Sequence, residues 1–186
     1  MVLSPASRAC SIPGRFAVLA ASLLLATACS AQEPQQSQGT ALEGGTQENG
    51  TVGSENVKVG DTWWFALPVP TNKSAKPIEI TGVSIVEIPR GMKVLKYGAY
   101  NLEDTEGLAL LTKEGSNLTP KFETLRDYST ETVEVAPRTS SDIYYLARLK
   151  ITSLPSESAR YCRFDYRQDG REFTQTLDCE VELTGK

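Results

Sequence analysis

The run from Ala159 to Leu183, ARYCRFDYRQDGREFTQTLDCEVEL, constrains the fold more than any other part of the chain. Asp169-Gly170 is a strong hairpin signal, because both central residues of a type I′ turn need positive φ. A turn centred there sets Tyr166 opposite Phe173, Phe164 opposite Gln175 and Cys162 opposite Leu177. Side chains alternate along a strand, so Cys162, Phe164 and Tyr166 share a face with Phe173, Leu177, Cys179, Val181 and Leu183. The opposite face carries Tyr161, Arg163, Asp165, Arg167, Thr174, Thr176, Asp178, Glu180 and Glu182. One face belongs to a core and the other to water, as in an antiparallel sheet with one side solvated.

The preceding residues repeat this grammar at short intervals. Thr62 to Pro70 (TWWFALPVP) reads as a strand apolar on both faces, stopped by prolines. Ile78 and Ile80 alternate on one parity and Val83 and Ile85 on the other; a bulge at Gly82 would bring both pairs to one face. Further strands are expected over Lys93–Tyr100, Leu108–Thr112, Glu131–Ala136 and Asp142–Thr152, the last with Tyr145, Ala147, Leu149 and Ile151 inward and Arg148 and Lys150 outward. Thr119-Pro120 followed by Glu123 predicts one short helix near 119–127. The sum is an all-β chain of about 7–8 strands, an antiparallel β-sandwich.

Export is written at the start of the chain. Arg8 and Arg15 precede the apolar run Phe16–Ala28, whose 13 residues match a signal-peptide core and fall short of a bilayer span. The run ends in Leu25-Ala26-Thr27-Ala28-Cys29-Ser30, which resembles a bacterial lipobox with its leucine one place further from the cysteine than usual. The resemblance implies cleavage before Cys29 and acylation of Cys29 as the mature N-terminus. Ala26-Thr27-Ala28 also suits ordinary signal peptidase, which would leave Cys29 unlipidated and the protein secreted. The expected organisation is a signal peptide over 1–28, a disordered tether over 29–56 and a β-sandwich domain over 57–186. The tether expectation rests on the polar composition of SAQEPQQSQGTALEGGTQENGTVGSE, which offers little surface to bury.

Outside the cytoplasmic membrane a thiol pair oxidises and persists. Cys10 leaves with the signal peptide, so Cys162 and Cys179 are expected to form a disulfide. Strict pairing around Asp169-Gly170 leaves them diagonal, with Cys179 opposite Arg160. Either a four-residue loop from Asp169 to Glu172 or a compensating bulge is therefore required.

PVPTNKSAKPIEITGVSI and VAPRTSSDIYYLARLKIT are similar to strand–turn–strand segments of immunoglobulin-like modules, and the domain resembles exported lipoproteins of high-GC Gram-positive bacteria. The resemblance implies an immunoglobulin-like β-sandwich and assigns no functional residue. Cys162 and Cys179 lie on neighbouring hairpin strands, so the Cys…Trp…Cys arrangement of antibody domains is missing.

The 186 residues contain no histidine. This removes the usual general base near neutral pH, the Ser-His and Cys-His nucleophile pairs and the commonest transition-metal ligand. The expectation is a non-enzyme with no catalytic residues, no cofactor and no metal. After processing, Lys+Arg falls from 19 to 17 against 23 acids, a net charge of −6 without a basic footprint for nucleic acid. Glu103, Asp104 and Glu106 form an acidic loop without the D-x-D-x-D-G spacing of a calcium loop. Trp63 and Trp64 point to opposite faces of one strand, so one belongs to the core and the other must pack on a loop, meet the tether or lie exposed. Packing on a loop is the favoured fate of Trp64; where exposed, Trp64, Tyr97 and Tyr100, with Glu103, Asp104 and Glu106, form the candidate binding surface. The expected function is a cell-surface-anchored binding or interaction module. It would be held to the outer face of the cytoplasmic membrane by its lipid and meet a protein or cell-wall partner. A small-ligand or ion-binding accessory lipoprotein is the alternative.

Overall fold

The computed structural model describes residues 36–185; the expected signal peptide, Cys29 and the first part of the expected tether lie outside the described residues. The strands are β1 (Ser37–Gln38), β2 (Leu42–Glu43), β3 (Thr51–Ser54), β4 (Thr62–Ala66), β5 (Thr71–Asn72), β6 (Ile78–Glu87), β7 (Met92–Asn101), β8 (Leu111–Lys113), β9 (Val133–Val135), β10 (Ile143–Ile151), β11 (Ala159–Gln168) and β12 (Arg171–Leu183). The fold is all-β and sandwich-like, with several sheets packed together. One sheet has the order β1-β12-β11-β6-β9, with β3 also on β12; a second runs β7-β10-β4-β8; β2 and β5 form a small third. All eight strands expected from the sequence are present as β4 and β6 to β12. In place of the expected helix there is a single 3-10 turn over Phe122–Thr124.

The terminal hairpin has its expected register. Asp169 and Gly170 take φ of 51° and 72°, and Tyr166, Phe164 and Cys162 pair with Phe173, Gln175 and Leu177. The two-residue turn is kept, so a bulge solves the cysteine problem. Arg160 pairs with Glu180 while Cys162 pairs with Leu177, leaving Asp178 and Cys179 together opposite Tyr161. Tyr161 absorbs the mismatch at φ 62°. Arg160, inward by strict alternation, is thereby turned to the surface, where both Nε and Nη2 donate to Glu180 Oε1 at 2.9 and 2.7 Å. The Cys162–Cys179 disulfide forms across this irregularity with Cα atoms 5.8 Å apart. Closing a loop of separation 17 restricts the unfolded chain by about 3 kcal/mol in the chain-entropy account.

β6 carries the expected bulge: Asp165 pairs with Gly82 and Tyr166 with Ile80, so Thr81 is the extra residue. Ile78, Ile80 and Ile85 are all buried as a result, with Val83 packed against the same core. That core lies between the two main sheets and includes Trp63, Phe65, Leu67, Tyr145, Leu149, Phe164, Leu177 and Val181. Tyr145 meets Phe164 edge-on across it, with ring centres 6.1 Å apart.

The expectation of a disordered tether over 29–56 is corrected for residues 36–56. β1 and β3 lie parallel to β12, Ser37 and Gln38 beside Phe173 and Thr174, and Thr51 to Ser54 beside Glu180 to Leu183. These parallel pairs depart from the expected purely antiparallel sheet. Between them Ala41 and Leu42 enter the core. Composition misled because apolar burial is only part of what holds this segment. Ala41 N–H donates to the Tyr166 hydroxyl at 3.1 Å; Leu42 N–H donates to Gln175 Oε1 at 2.9 Å, and Gln175 Nε2 donates back to the Leu42 carbonyl at 2.7 Å. Gly39 makes room for the first contact, since a Cβ there would run into the Tyr166 hydroxyl.

Two stability predictions follow from these contacts. Gln175→Ala strands a buried donor and a buried acceptor of Leu42, so a loss of about 2–4 kcal/mol is expected. Urea unfolding measures it, and limited proteolysis should then cut first within residues 36–50. A left-handed conformation at a non-glycine residue is strained by about 1–3 kcal/mol. Tyr161→Gly should therefore be neutral to about 1 kcal/mol stabilising, whereas the β-branched Tyr161→Val should lower the urea midpoint.

Candidate functional site

The second sheet is apolar on both faces. Trp63 and Phe65 on β4 and Tyr145 and Ala147 on β10 point into the main core. Trp64, Ala66, Tyr144 and Leu146 point the other way, together with Tyr100 at the end of β7. A sheet with two apolar faces must be covered on both. The chain on either side of β8 supplies the cover, a roof made of residues 102–110 and 114–132. Leu102, Leu108, Phe122 and Leu125 descend from it onto the aromatic layer. Phe122 lies 4.7 Å from Trp64 and 4.8 Å from Tyr100 between ring centres, and Trp64 meets Tyr100 edge-on at 6.4 Å.

Trp64 packs on a loop, the favoured fate, and the candidate binding surface is corrected by this arrangement. Trp64 is 2 % exposed and Tyr100 fully buried, so neither ring presents a surface. Tyr97 is half-buried, and its hydroxyl accepts the Ile85 N–H at 2.8 Å, tying β7 to β6. Burial pushes the Tyr97 hydroxyl above its ordinary value. Glu103, Asp104 and Glu106 are exposed as expected, on a turn held by Thr105, whose hydroxyl donates to the Gly107 carbonyl at 2.8 Å. Among the described residues no group of three or more His, Cys, Asp or Glu side chains could hold a metal ion.

Charged partners around Trp64 complete the site, and the sequence reading missed them. Arg148 lies opposite Trp64 in register, with its guanidinium 5.8 Å from the ring centre; the Lys96 ammonium is 5.4 Å from the same ring. Arg148 Nε and Nη2 donate to the two carboxylate oxygens of Glu114 at 3.0 and 2.8 Å. This pairing raises the guanidinium above its ordinary value, against a smaller opposing effect of burial. A visible signal was available: Arg148 interrupts the apolar outer face formed by Tyr144 and Leu146. Between the sheet and residues 114–123 lies an open cleft of about 560 Å³, with Trp64 at its floor and Glu114, Ser116, Asn117, Thr119, Lys121 and Glu123 along its walls. Thr119 does not cap a helix; its hydroxyl donates to the Lys113 carbonyl at 2.6 Å and steadies the cleft wall.

Asp127 fastens the roof to the sheet. Its Oδ1 accepts the N–H of Ala99 and of Ser129, each at 3.0 Å, and Lys96 Nζ reaches Oδ2 at 3.3 Å. Tyr128 N–H donates to the Ala99 carbonyl at 2.8 Å, so residues 127–128 act as a short mock strand on the edge of β7. Burial pushes the Tyr100 hydroxyl well above the tyrosine range, and the Asp127 and Glu123 carboxylates add to the effect. Comparison with protein-family models, curated proteins and solved structures finds no match.

The roof should come loose in acid before the sandwich does. Burial raises the pKa of Asp127, but its hydrogen bonds and Lys96 outweigh this and hold it below the ordinary aspartate value. A depressed folded-state pKa gives stability that is present above the unfolded value of about 3.9 and disappears as pH falls through the folded one. Below about pH 4, hydrogen exchange should therefore rise over residues 102–130 ahead of β10 to β12. Asp127→Asn should show the faster roof exchange already at neutral pH, with its acid dependence flattened.

Proposed function

We propose that this chain is an exported, non-catalytic binding module, lipid-anchored through Cys29 to the outer face of the cytoplasmic membrane, and that it takes its ligand in the Trp64 cleft. The observation that carries the reading is the roof itself. A sandwich needs a few residues to join two strands, yet 19 residues (114–132) separate β8 from β9. They bury one aromatic layer and leave a cleft of about 560 Å³ beside it. Loops on a rigid scaffold vary without disturbing the core and are where binding concentrates. The cleft offers hydroxyls, an amide, carboxylates and an ammonium; Glu114 is occupied with Arg148. That chemistry suits a hydroxyl-rich, polar chain such as a cell-wall glycan. The absence of histidine throughout the chain supports binding in preference to turnover. The lipobox-like Leu25-Ala26-Thr27-Ala28-Cys29-Ser30 is what supports anchoring through Cys29.

The test uses Trp64 as its own reporter. Trp63→Phe leaves Trp64 as the one tryptophan of the two in the chain, and its emission is titrated with soluble peptidoglycan fragments. A saturable change is expected, at least tenfold weaker in Asn117→Ala with Glu123→Gln, with circular dichroism unchanged. Emission indifferent to the fragments, or equal titration of both proteins, removes the cleft as the binding site. Separately, Cys29→Ala should move the protein from the membrane fraction to the medium. A wild-type protein already soluble and free of acyl chains would remove the anchor.

A further inference from the structure

Tyr161 is 37 % exposed, and the other aromatic side chains among the described residues are buried or half-buried. Its ring stacks on no other ring, and its hydroxyl makes no hydrogen bond among the described residues. The backbone beneath it is the β11 bulge, held in the left-handed region at φ 62°. Glycine or asparagine would occupy that conformation with less strain. A large ring kept at a strained position of a rigid frame points to use of that side chain. The bulge turns Tyr161 outward, beside Val86 of β6, which is 53 % exposed on the same face.

The ring forms one wall of an open depression of about 270 Å³ on the outer face of the first sheet, whereas Trp64 belongs to the outer face of the second. Asn49 enters it from the turn before β3, because β3 sets Thr51 beside Glu180 of β12. Gln47 ties that turn to the fold, its Oε1 accepting the Val69 N–H at 2.8 Å. Asn49 is itself left-handed at φ 66°, and its side-chain amide has no partner among the described residues. The exposed Asp178 carboxylate likewise has neither ion pair nor hydrogen bond there. Arg160 and Glu180 are matched to each other, and the Thr51 hydroxyl donates to Glu180 Oε2 at 3.0 Å. Cys179, closed onto Cys162, lies at the floor and braces the bulge against β12.

We propose that this depression is a second binding site, separate from the Trp64 cleft, which takes one pyranose ring of a neutral glycan against the face of Tyr161. A phenol ring, an amide and a carboxylate around one shallow depression are the groups that hold a sugar. The C–H face of the pyranose covers the aromatic ring, while its hydroxyls donate to Asp178 and both donate to and accept from Asn49. An anionic ligand would meet the carboxylates of Asp178 and Glu180. A cationic one would meet the Arg160 guanidinium, whose side chain is 51 % exposed. The walls are set in advance by the disulfide, the bulge and the Gln47 tether, so little ordering is needed on binding. The site depends neither on acylation of Cys29 nor on the Trp64 cleft.

Backbone amide shifts of the isotope-labelled protein are followed by NMR as cellotetraose, N-acetylchitotetraose or tetralysine is added. With at least one of the two saccharides, the amides of residues 49–51, 160–162 and 178–180 should shift and saturate. Tyr161→Phe should hold the affinity, because the ring face is kept. Tyr161→Gly, which suits the bulge, should weaken it roughly tenfold, the worth of one aromatic contact. Asn49→Ala with Asp178→Ala should weaken it severalfold, and reads the site without altering the bulge if Tyr161→Gly disturbs the hairpin. Saccharide shifts confined to residues 114–123 would overturn this site and leave the Trp64 cleft standing. The absence of saccharide shifts around Tyr161, equal titration of Tyr161→Gly and the unaltered protein, or saturation by tetralysine alone would also overturn it.

Discussion

Two adjacent tryptophans on one strand cannot share a core, and the architecture follows from that constraint. Trp63 faces the main sandwich interior and Trp64 the other side of the second sheet. Left bare, the outer layer of Trp64, Tyr100, Tyr144 and Leu146 would be an apolar patch of the kind that drives association. The chain resolves this within itself by folding residues 102–110 and 114–132, on either side of β8, back over the sheet. Phe122 supplies the plug, and Asp127 supplies the polar fastening on the edge of β7. A second core built this way depends on loop backbone for its outer wall, and that loop is fastened to the sheet through the Asp127 carboxylate, which accepts the Ala99 N–H.

Much of the sandwich was legible in the sequence because its signals are local. Asp169-Gly170 dictates a turn, the turn dictates a register, and alternation assigns the faces. Gly82 marked a bulge for the same reason: two apolar pairs of opposite parity cannot otherwise share a face. Residues 36–56 escaped this logic. Their apolar content is low, and they are held by parallel backbone pairing with β12 and by two side chains more than 120 positions away, Tyr166 and Gln175. A trace of this was present in Gln175, a polar residue at an inward position of an otherwise apolar face. A buried amide needs partners, and β11 has none to offer it, so a further backbone segment had to come near.

The candidate site was legible by half. That β4 is apolar on both faces follows from its residues, and packing against a loop was one of the fates open to Trp64. Whether an outer face is covered or exposed is decided by chain far away in sequence, and here by Leu102, Leu108, Phe122 and Leu125, whose irregular spacing carries no strand or helix period. The acidic loop was read correctly as exposed, but it does not converge with the aromatic residues into one surface. What converges on Trp64 is Arg148 from the neighbouring strand, Lys96 from β7 and Glu114 from the roof. Each is unremarkable as a charge on a strand or loop and acquires meaning through register.

The way the fold treats its strand edges limits how it can meet a partner. β8 and β9 are three residues each, and the long edge of β12 is taken by β1 and β3. β7 is a ten-residue edge, but it is interrupted at Leu95, where its pairing with β10 shifts by one residue, and it carries exposed Lys93 and Lys96. Its far half is occupied by Asp127 and Tyr128. The free flank of β6 is met by the Tyr97 hydroxyl at Ile85. Bulges, lysines, short strands and loop cover are the devices that keep an edge from pairing with a foreign strand. With backbone addition closed off and both aromatic layers inside, what the fold leaves for contact with any partner is exposed side chains, and the roof is the longest loop of the described residues.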